Sequence, residues 1–288
     1  MKSSALREVA EGVVPKSLIS HVPRGFEVVG DIAIVNIPRQ LENYRFELAE
    51  ALLSRFKGRM RIVVRRVSPA RDPNRVHSYE VLAGSGGLET IHRESGCTFK
   101  VDLSKVFFTS RLQYERIRVA RAVRRGEVVV NMFAGVGPFS IVIAKLVQDV
   151  KVYSIDINPD AYKLMVENIR LNKVEDKVIP ILGDAGEAID EHGLRGVADR
   201  VLMPSPEHAF NYLAKAVEAL KPQGFIHYYD VANPKVSLYD HLNLRVREGL
   251  RGLEVRWVMR GVRAIRSVAP LKVYACADLE VERATSRP

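Results

Sequence analysis

VVVNMFAGVGPFSI, residues 128–141, is the segment that decides the fold of this 288-residue chain. Three valines lead into a turn that contains Gly135 and Gly137, and an apolar run resumes behind the turn. This order is typical of a buried strand, a ligand-binding loop and the start of a helix. The turn lacks the Lys-Ser/Thr ending of a phosphate-binding loop and the spaced triple glycine of a dinucleotide site. The segment therefore predicts a binding site and leaves its ligand open.

Strands and helices alternate around this segment from about residue 110 onwards. Strands are predicted at 128–132, 151–155, 178–182, 199–203 and 224–229, and helices at 112–123, 139–146, 159–171, 208–220 and 238–249. Two final strands, at 254–263 and 272–281, have no helix between them. The alternation predicts an α/β fold with a parallel sheet that is covered on both faces and ends in an antiparallel hairpin.

The first hundred residues follow another pattern, which predicts a small α+β unit. A Gly30-Asp31 turn divides the apolar stretch at 26–37 into a hairpin, and residues 41–56 have helical periodicity. Further strands are predicted at 62–67, 79–83, 89–94 and 97–103, with a loop at 69–74. We place the domain boundary between residues 108 and 109.

Composition excludes several classes of protein. The chain is 47% hydrophobic and 27% charged, which suits a folded chain with a sizeable core. The sequence starts without a secretory leader, and no apolar run is long enough to cross a bilayer, so we expect a cytoplasmic protein without membrane contact. Cys97 and Cys276 stand alone and the histidines are scattered, so we expect neither a disulfide framework nor a metal site.

The charge pattern points to a polyanionic partner. The formal net charge is +10, and basic residues concentrate in three segments, 55–75, 111–125 and 245–266. Acidic residues are sparse in these segments, so the pattern favours nucleic acid. A surface covered by networks of arginine and glutamate is the alternative.

Acidic residues follow two of the predicted strands. Asp156 ends the strand VYSID and Asp184 follows the strand at 178–182, so both are expected at carboxyl ends, where open α/β sheets bind ligands. The first carboxylate can accept both hydroxyls of a ribose, and the second can reach an adenine amino group. Together with the FAGVG turn they favour S-adenosylmethionine over NAD. If Asp156 only capped the next helix, the glycine turn after the strand at 128–132 and Asp184 after the strand at 178–182 would stay unexplained.

Longer segments of the chain resemble class I methyltransferases. The resemblance is narrower to the archaeal and eukaryotic tRNA guanine-37 methyltransferase family, which includes relatives in the wyosine pathway. It rests on VNMFAGVGPFSI at 130–141, SIDINPDAYKLMVENIRLNKV at 154–174, ILGDA at 181–185 and DRVLMPSPEHAFNYL at 199–213, and it extends over residues 26–281. The implied fold is a Rossmann-like methyltransferase sheet preceded by a small α+β domain.

The resemblance implies methylation of guanosine 37 of tRNA, next to the anticodon, with S-adenosylmethionine as cofactor. The acceptor atom stays open between N1 of guanine and C7 of the wyosine intermediate imG2, and both are allowed. Domain 1–108 would face the tRNA anticodon stem-loop, domain 109–288 would be catalytic, and the chain would act as a monomer. The residues implied to bind the cofactor are Phe133, Ala134, Gly135, Val136, Gly137, Asp156, Ile157, Asp184, Ala185 and Met203.

The implied catalytic positions are Arg111, Pro204 and Pro206. Arg111 would stabilise negative charge on the base oxygen, a task that suits its guanidinium fork, although phosphate contact is the alternative. The segment MPSP at 203–206 would form a wall against the flipped base. The general base is not assigned.

Two other functions stay open. The aminocarboxypropyl transferase of wybutosine synthesis uses the same cofactor, but the methyltransferases have an arginine at the position of Arg111 and a proline-ended motif at 203–206, as this chain does. A non-catalytic tRNA-binding protein with a relic cofactor pocket is the alternative of another class, and the intact glycine turn and both aspartates argue against it.

The chain departs from the family pattern in three ways. Asn131 stands where the family usually has Asp, near the methionine end of the cofactor. Pro204 stands where strict guanine-N1 enzymes have Asn, as in the branch that methylates C7. The additional N-terminal module that grips tRNA in many members is expected to be missing here.

Several further residues are candidates for contact with RNA. Phe108 and Tyr229 are expected either to stack on the target base or to lie in the core. Three arginines of the helix at 112–123 are expected to reach phosphates if their face of the helix is exposed, namely Arg116, Arg118 and Arg121.

Overall fold

The computed structural model of the chain describes residues 5–67, 76–269 and 271–283. The predicted loop at 69–74 lies outside these residues. The chain divides into two compact units, Met1–Arg111 and Leu112–Pro288, whereas the sequence prediction divides it between residues 108 and 109.

The first unit is an α+β structure. Its elements are α1 (Ala5–Ala10), β1 (Glu27–Val29), β2 (Ile32–Val35), α2 (Arg45–Arg55), β3 (Ile62–Arg66), β4 (Tyr79–Gly84), β5 (Glu89–Glu94) and β6 (Cys97–Asp102). Strands β1 to β4 form one sheet in chain order, and β5 pairs with β6 as a separate hairpin. The predicted turn at Gly30-Asp31 is confirmed, because β1 and β2 pair antiparallel around it.

Helix α2 differs in its first residues from the helix predicted at 41–56. Residues Arg39–Tyr44 form a 3-10 helix, and the α-helix begins only at Arg45. Leu41, Leu48 and Leu52 of this segment are buried against the sheet, as their spacing predicts.

The second unit is a seven-stranded sheet with helices. Its elements are α3 (Gln113–Ala122), β7 (Val128–Asn131), α4 (Pro138–Leu146), β8 (Lys151–Asp156), α5 (Pro159–Leu171), β9 (Val178–Leu182), α6 (Ala185–Glu191), β10 (Ala198–Met203), α7 (Leu213–Ala219), β11 (Leu220–Ala232), α8 (Leu238–Gly249), β12 (Val255–Ala269) and β13 (Lys272–Arg283). The strand order is β12-β13-β11-β10-β7-β8-β9. Strands β7 to β11 run parallel to their neighbours, and the β12–β13 hairpin adds antiparallel to β11. The predicted α/β fold and terminal hairpin are confirmed.

The chain reverses its direction of growth between β7 and β10. From β7 it builds outward through β8 to β9, and it then returns across the sheet to lay β10 on the other side of β7. The carboxyl ends of β7 and β10 therefore form the topological switch point, where sheets of this kind bind ligands. The return passes through α6, a helix that was not predicted, and the helix predicted at 208–220 is a 3-10 helix at Ala209–Tyr212 followed by α7.

Strand β12 forms one edge of the sheet among the described strands. It is 15 residues long, and its register with β13 shifts three times. Arg256, Val258 and Arg260 on this strand are exposed. Within the described residues, none of the helices combines the length and apolar character that a bilayer crossing requires.

Candidate functional site

The glycine turn sits at the switch point, directly after β7. Gly135 and Gly137 have φ angles of +57° and +89°, which residues with a Cβ rarely adopt. Apart from its two chain neighbours, a Cβ on Gly135 would meet no atom of the described residues within 4 Å, so the space beside the turn is open. The N–H of Ala134 donates to the carbonyl of Ile155 at 2.8 Å, which ties the turn to β8. The backbone here can therefore approach a ligand closely.

Asp156 ends β8 beside this turn and is half-buried. Its carboxylate accepts the N–H of Gly135 at 2.6 Å and that of Asn158 at 3.0 Å. Burial raises the pKa of Asp156, and these two backbone donors oppose the rise. Asn158, rather than Asp156, caps α5, because its side chain accepts from the N–H groups of Asp160 and Ala161. Asp156 therefore acts as a bridge between strand end and turn, not as a helix cap.

Two apolar side chains next to Asp156 are exposed. Ile157 follows β8 and is 51% exposed, and Leu182 ends β9 and is 48% exposed. The β8–β9 register pairs Asp156 with Leu182, so these side chains stand at adjacent strand ends. Exposed aliphatic groups beside a carboxylate suit the flat face of a nucleobase and the hydroxyls of its ribose. Leu182 was not a sequence candidate, because an apolar residue at the end of a strand usually lies in the core.

Asp184 follows the end of β9 at Leu182 and caps α6. Its side chain accepts from the N–H groups of Gly186 at 2.8 Å and Glu187 at 3.3 Å. The hydroxyl of Tyr212 donates to the other carboxylate oxygen at 2.5 Å. Burial and this hydrogen bond raise the pKa of Tyr212 to about 12. Tyr212, which also packs edge-on against Phe133, was missed because no sequence signal links it to Asp184.

Four of the predicted cofactor residues have buried side chains. Ala134, Val136 and Ala185 are at most 4% exposed, and Met203 lies fully within the hydrophobic core. A contact between these residues and a cofactor would have to use the backbone. The structure thus brings Phe133, Gly135, Asp156, Ile157 and Asp184 to the carboxyl edge with partly exposed side chains or backbone.

Asn131, the departure from the family pattern, belongs to a buried polar network under the turn. It has no exposed surface, and its Nδ2 donates to Oγ of Ser140 on α4 at 3.0 Å. The hydroxyl of Ser154 on β8 donates to the same oxygen at 2.6 Å. An aspartate has no N–H to donate to Ser140. The asparagine is therefore matched to the serine pair that it contacts.

The segment at 203–206 is a compact turn after β10. Its chain folds back through a hydrogen bond from the N–H of Ser205 to the carbonyl of Met203 at 2.8 Å. Pro204 is half-buried and Pro206 is buried. Pro204 is thus the proline of this pair with more side-chain surface to offer to a base.

Arg111 is the last residue of the first unit. Its side chain is 46% exposed, and its Nε lies 3.6 Å from Oε2 of Glu27. Phe108, in the same unit, is 2% exposed and packs against His92 and Phe99. Of the two alternatives for Phe108, the core position is confirmed and base stacking is wrong, because the ring is buried.

The basic surface of α3 is smaller than the sequence predicts. Arg116 is 2% exposed, with its guanidinium over the ring of Phe139, and Arg118 forms ion pairs with Glu115 and Asp278. The expectation that these two arginines contact phosphates is wrong, because they turn toward the protein interior. Arg121 is exposed and remains a candidate.

A buried charge network joins α3 to β11 and β13. Asp278 accepts from Nδ1–H of His227 at 2.6 Å and from Arg118 and Arg263. Burial lowers the pKa of His227, and Arg200 donates to its Nε2 at 2.9 Å, as a neutral imidazole requires. Although Cys276 stands close enough to complete a three-ligand group, two guanidinium groups already neutralise Asp278, so we assign the cluster to internal charge pairing.

Tyr229 is part of the same network and is 3% exposed. Its hydroxyl donates to Oε1 of Glu115 at 2.6 Å, and its ring lies edge-on to Phe139. The core position is therefore confirmed for Tyr229 as well, and base stacking is wrong, since its ring is buried.

The carboxyl edge of the second unit thus combines an open glycine turn, a half-buried carboxylate, exposed aliphatic side chains and a second carboxylate. These groups suit an adenine nucleoside attached to a polar tail, because each chemical part of such a ligand has a matching group. The described residues at this edge offer no cluster of metal ligands, and the three-ligand group described above lies within the charge network.

Comparison with known proteins agrees with this geometry. The model of the TRM5/TYW2 methyltransferase domain matches residues 90–255, and that of the TYW2 N-terminal domain matches residues 6–87. The tRNA (guanine(37)-N(1))-methyltransferase Trm5b of Pyrococcus abyssi is 38% identical, over 97% of this chain and 81% of its own length. The tRNA 4-demethylwyosine(37)-methyltransferase Taw21 of Saccharolobus solfataricus is 41% identical, over 70% of this chain and 76% of its own. A tRNA(Phe) (4-demethylwyosine(37)-C(7)) aminocarboxypropyltransferase of Methanocaldococcus jannaschii is 38% identical, over 68% of this chain and 76% of its own length.

Solved structures give the same result. Trm5b of Pyrococcus abyssi superposes with a TM-score of 0.81 at 37% identity, over 94% of this chain and 79% of that one. The complex of aTrm5 with tRNALeu superposes with a TM-score of 0.80 at 33% identity, over 97% of this chain and 79% of that one. TYW2 of Methanocaldococcus jannaschii, in complex with AdoMet, superposes with 0.68 at 31% identity, over 90% and 100%. This chain therefore belongs to the TRM5/TYW2 methyltransferase family.

Proposed function

We propose that this chain transfers the methyl group of S-adenosylmethionine to the purine at position 37 of tRNA. The observation that carries the proposal is the carboxyl edge of the second unit, where the open Gly135 turn lies within hydrogen-bond distance of Asp156. Relatives that share this domain are named as guanine-37 and 4-demethylwyosine methyltransferases, and another relative, TYW2 of Methanocaldococcus jannaschii, was crystallised with AdoMet.

The residues at this edge fit each part of the cofactor. Asp156 would accept the ribose hydroxyls, Ile157 and Leu182 would cover the adenine, and Asp184 would lie near its amino group. Gly135 would leave room for the methionine part, since none of the described residues other than its chain neighbours has an atom within 4 Å of the place where its Cβ would be. Bound S-adenosylmethionine supplies an electrophilic methyl group, which the acceptor atom takes in an in-line displacement.

The substrate side of the reaction falls to Arg111 and the turn at 203–206. The half-exposed guanidinium of Arg111 would stabilise negative charge on the oxygen of the base as its proton leaves. Pro204 would bound the base on one side, and it cannot donate a hydrogen bond from its side chain. Because one relative is named as a tRNA 4-demethylwyosine(37)-methyltransferase, the tricyclic base is a substrate to be tested beside guanine, with C7 as its acceptor atom in our proposal.

The test uses tRNA with guanosine 37 and tRNA with its tricyclic derivative, each incubated with methyl-labelled and with carboxyl-labelled cofactor. Methyl label in either tRNA supports the proposal, and mass spectrometry of the modified nucleoside identifies the acceptor atom. The Asp156→Ala variant serves as the control for cofactor-dependent labelling. Carboxyl label without methyl label would overturn methyl transfer.

Aminocarboxypropyl transfer is the second candidate, because residues 6–87 match the TYW2 N-terminal domain and one relative is named for that reaction. A non-catalytic role in tRNA binding is the third, and it requires that calorimetry detect no binding of S-adenosylmethionine.

The action of the chain as a cytoplasmic monomer stays a prediction, and light scattering of the purified protein measures its oligomeric state.

A further inference from the structure

One buried carboxylate in the first unit contacts three consecutive residues at the end of that unit. Glu27, the first residue of β1, is 3% exposed. Its Oε1 accepts the hydroxyl of Thr109 at 2.5 Å and the N–H of Ser110 at 3.1 Å. Its Oε2 lies 3.6 Å from Nε of Arg111. Glu27 therefore contacts residues 109, 110 and 111 although more than eighty residues separate it from them.

The charge of Glu27 is balanced from a second side. Arg66 on β3 donates through its Nη2 to Oε2 of Glu27 at 3.1 Å. Burial lowers the pKa of Arg66, but Glu27 and Tyr79 together, through their charges and hydrogen bonds, outweigh this effect and the pKa is raised. A buried carboxylate is tolerated when it is paired and hydrogen-bonded, and Arg66 already provides that pairing. Glu27 thus does not need Arg111 for its own neutralisation.

The contact with Arg111 has the form expected of an orienting contact. At 3.6 Å it is longer than a hydrogen bond, and it is made through Nε. The two Nη groups, which form the fork that binds oxygen atoms, are at the other end of the guanidinium. The chain before Arg111 is held by the hydrogen bonds that the hydroxyl of Thr109 and the N–H of Ser110 donate to Glu27. The side chain is nevertheless 46% exposed and accessible to a substrate.

We propose that Glu27 is the positioning residue of Arg111: it anchors residues 109–110 and aligns the guanidinium, so that the Nη fork faces the substrate oxygen. This inference rests on the proposed function, in which Arg111 acts on the base. Glu27 itself touches no reacting atom.

The test is a double-mutant cycle on methyl transfer with Glu27→Gln and Arg111→Ala. Glutamine keeps one acceptor for Thr109 or Ser110, but its amide group faces the arginines as a donor. We expect Glu27→Gln to lower kcat about 10- to 100-fold, the size expected of a misplaced catalytic group, with the KM for tRNA and the Kd for cofactor unchanged. In the Arg111→Ala background the same change should alter kcat less than about twofold, because the residue through which it acts is gone. Equal losses in both backgrounds, or no loss in either, overturn the inference.

Glu94→Gln is the matched control. Glu94 is also a buried glutamate of the first unit, 5% exposed, and its carboxylate lies 3.2 Å from His92. We expect this variant to keep the wild-type kcat. If Glu27→Gln fails to fold in thermal unfolding, Thr109→Val removes one anchoring donor and should show the same dependence on Arg111 at smaller size.

A measurement that does not depend on activity separates this inference from the proposed function. The nitrogen-15 relaxation of the Nε–H of Arg111, identified by the loss of its signal in Arg111→Ala, should report a more mobile side chain in Glu27→Gln than in the wild type. Unchanged mobility contradicts the positioning role even if the enzyme is active. Absence of methyl transfer by the wild type contradicts the proposed function and leaves the relaxation result to decide on Glu27.

Discussion

Replacing Asp156 by asparagine tests the cofactor site most directly. The carboxylate accepts two backbone N–H groups, at 2.6 and 3.0 Å, and in the proposed function it also accepts ribose hydroxyls. Asparagine keeps one acceptor oxygen and places an NH2 group where the second stood, so one charged hydrogen bond to the ligand is lost. Such a bond contributes about 1.5–3 kcal/mol. Because 1.4 kcal/mol changes an affinity tenfold, the Kd for S-adenosylmethionine should rise about 10- to 150-fold.

Isothermal titration calorimetry measures this change, and Asp149→Asn is the matched control. Asp149 precedes β8 at the end opposite Asp156, and the strand between them is roughly 17 Å long. Its side chain is 68% exposed, and its φ of +52° is one that asparagine tolerates. The control removes the same charge and should bind cofactor like the wild type. A Kd for Asp156→Asn within twofold of the wild type, or an equal loss in both variants, would refute the reasoning.

Three more predictions concern the second unit and the thiols. Gly137→Ala should destabilise the fold by about 1–3 kcal/mol in urea unfolding, because φ is +89° and the new Cβ would lie 3.1 Å from two side-chain carbons. Gly135→Ala should cost less stability and should weaken cofactor binding instead. Burial acts to raise the pKa of Asp278, but its histidine and arginine partners hold it below the ordinary 3.8, so the stability it adds is present above that value and is lost as the pH falls below it. The unfolding free energies of wild type and Asp278→Asn should therefore converge in acid, and a constant difference would contradict this. Cys97 and Cys276 are buried, so a thiol reagent should modify neither at neutral pH until the chain is unfolded, and rapid reaction of the native protein would show the packing to be wrong.

The fold was predictable where an element carries its own local signals. The helices predicted at 159–171 and 238–249 coincide with α5 and α8, and both begin at a side-chain cap, Asn158 and Ser237. Helix α6 was missed because it has only seven residues, too few for a clear period. It is held by the burial of Ala188 and Ile189 against the sheet, which the local sequence does not reveal.

The residues of the candidate site also differ in how far the sequence could predict their positions. Asp156 and Asp184 could be placed because the ends of parallel strands share one edge, whatever the register. The contact of Tyr212 with Asp184 and the network of Asn131 depend on how distant elements pack, and no spacing in the sequence encodes that. Arg118 was misplaced for a related reason, since charge in a sequence does not show which face of a helix turns inward.

The edge formed by β12 affects how copies of this chain behave toward one another in concentrated solution. A long edge strand has a row of unpaired N–H and C=O groups that can extend into a second molecule and start aggregation. Arg256 and Arg260 are exposed along this strand, and its three register shifts break the regular spacing that a continuous partner would need. We therefore expect part of the positive charge that resembles an RNA-binding signal to keep neighbouring molecules apart, and we expect neutral substitutions on β12 to lower solubility.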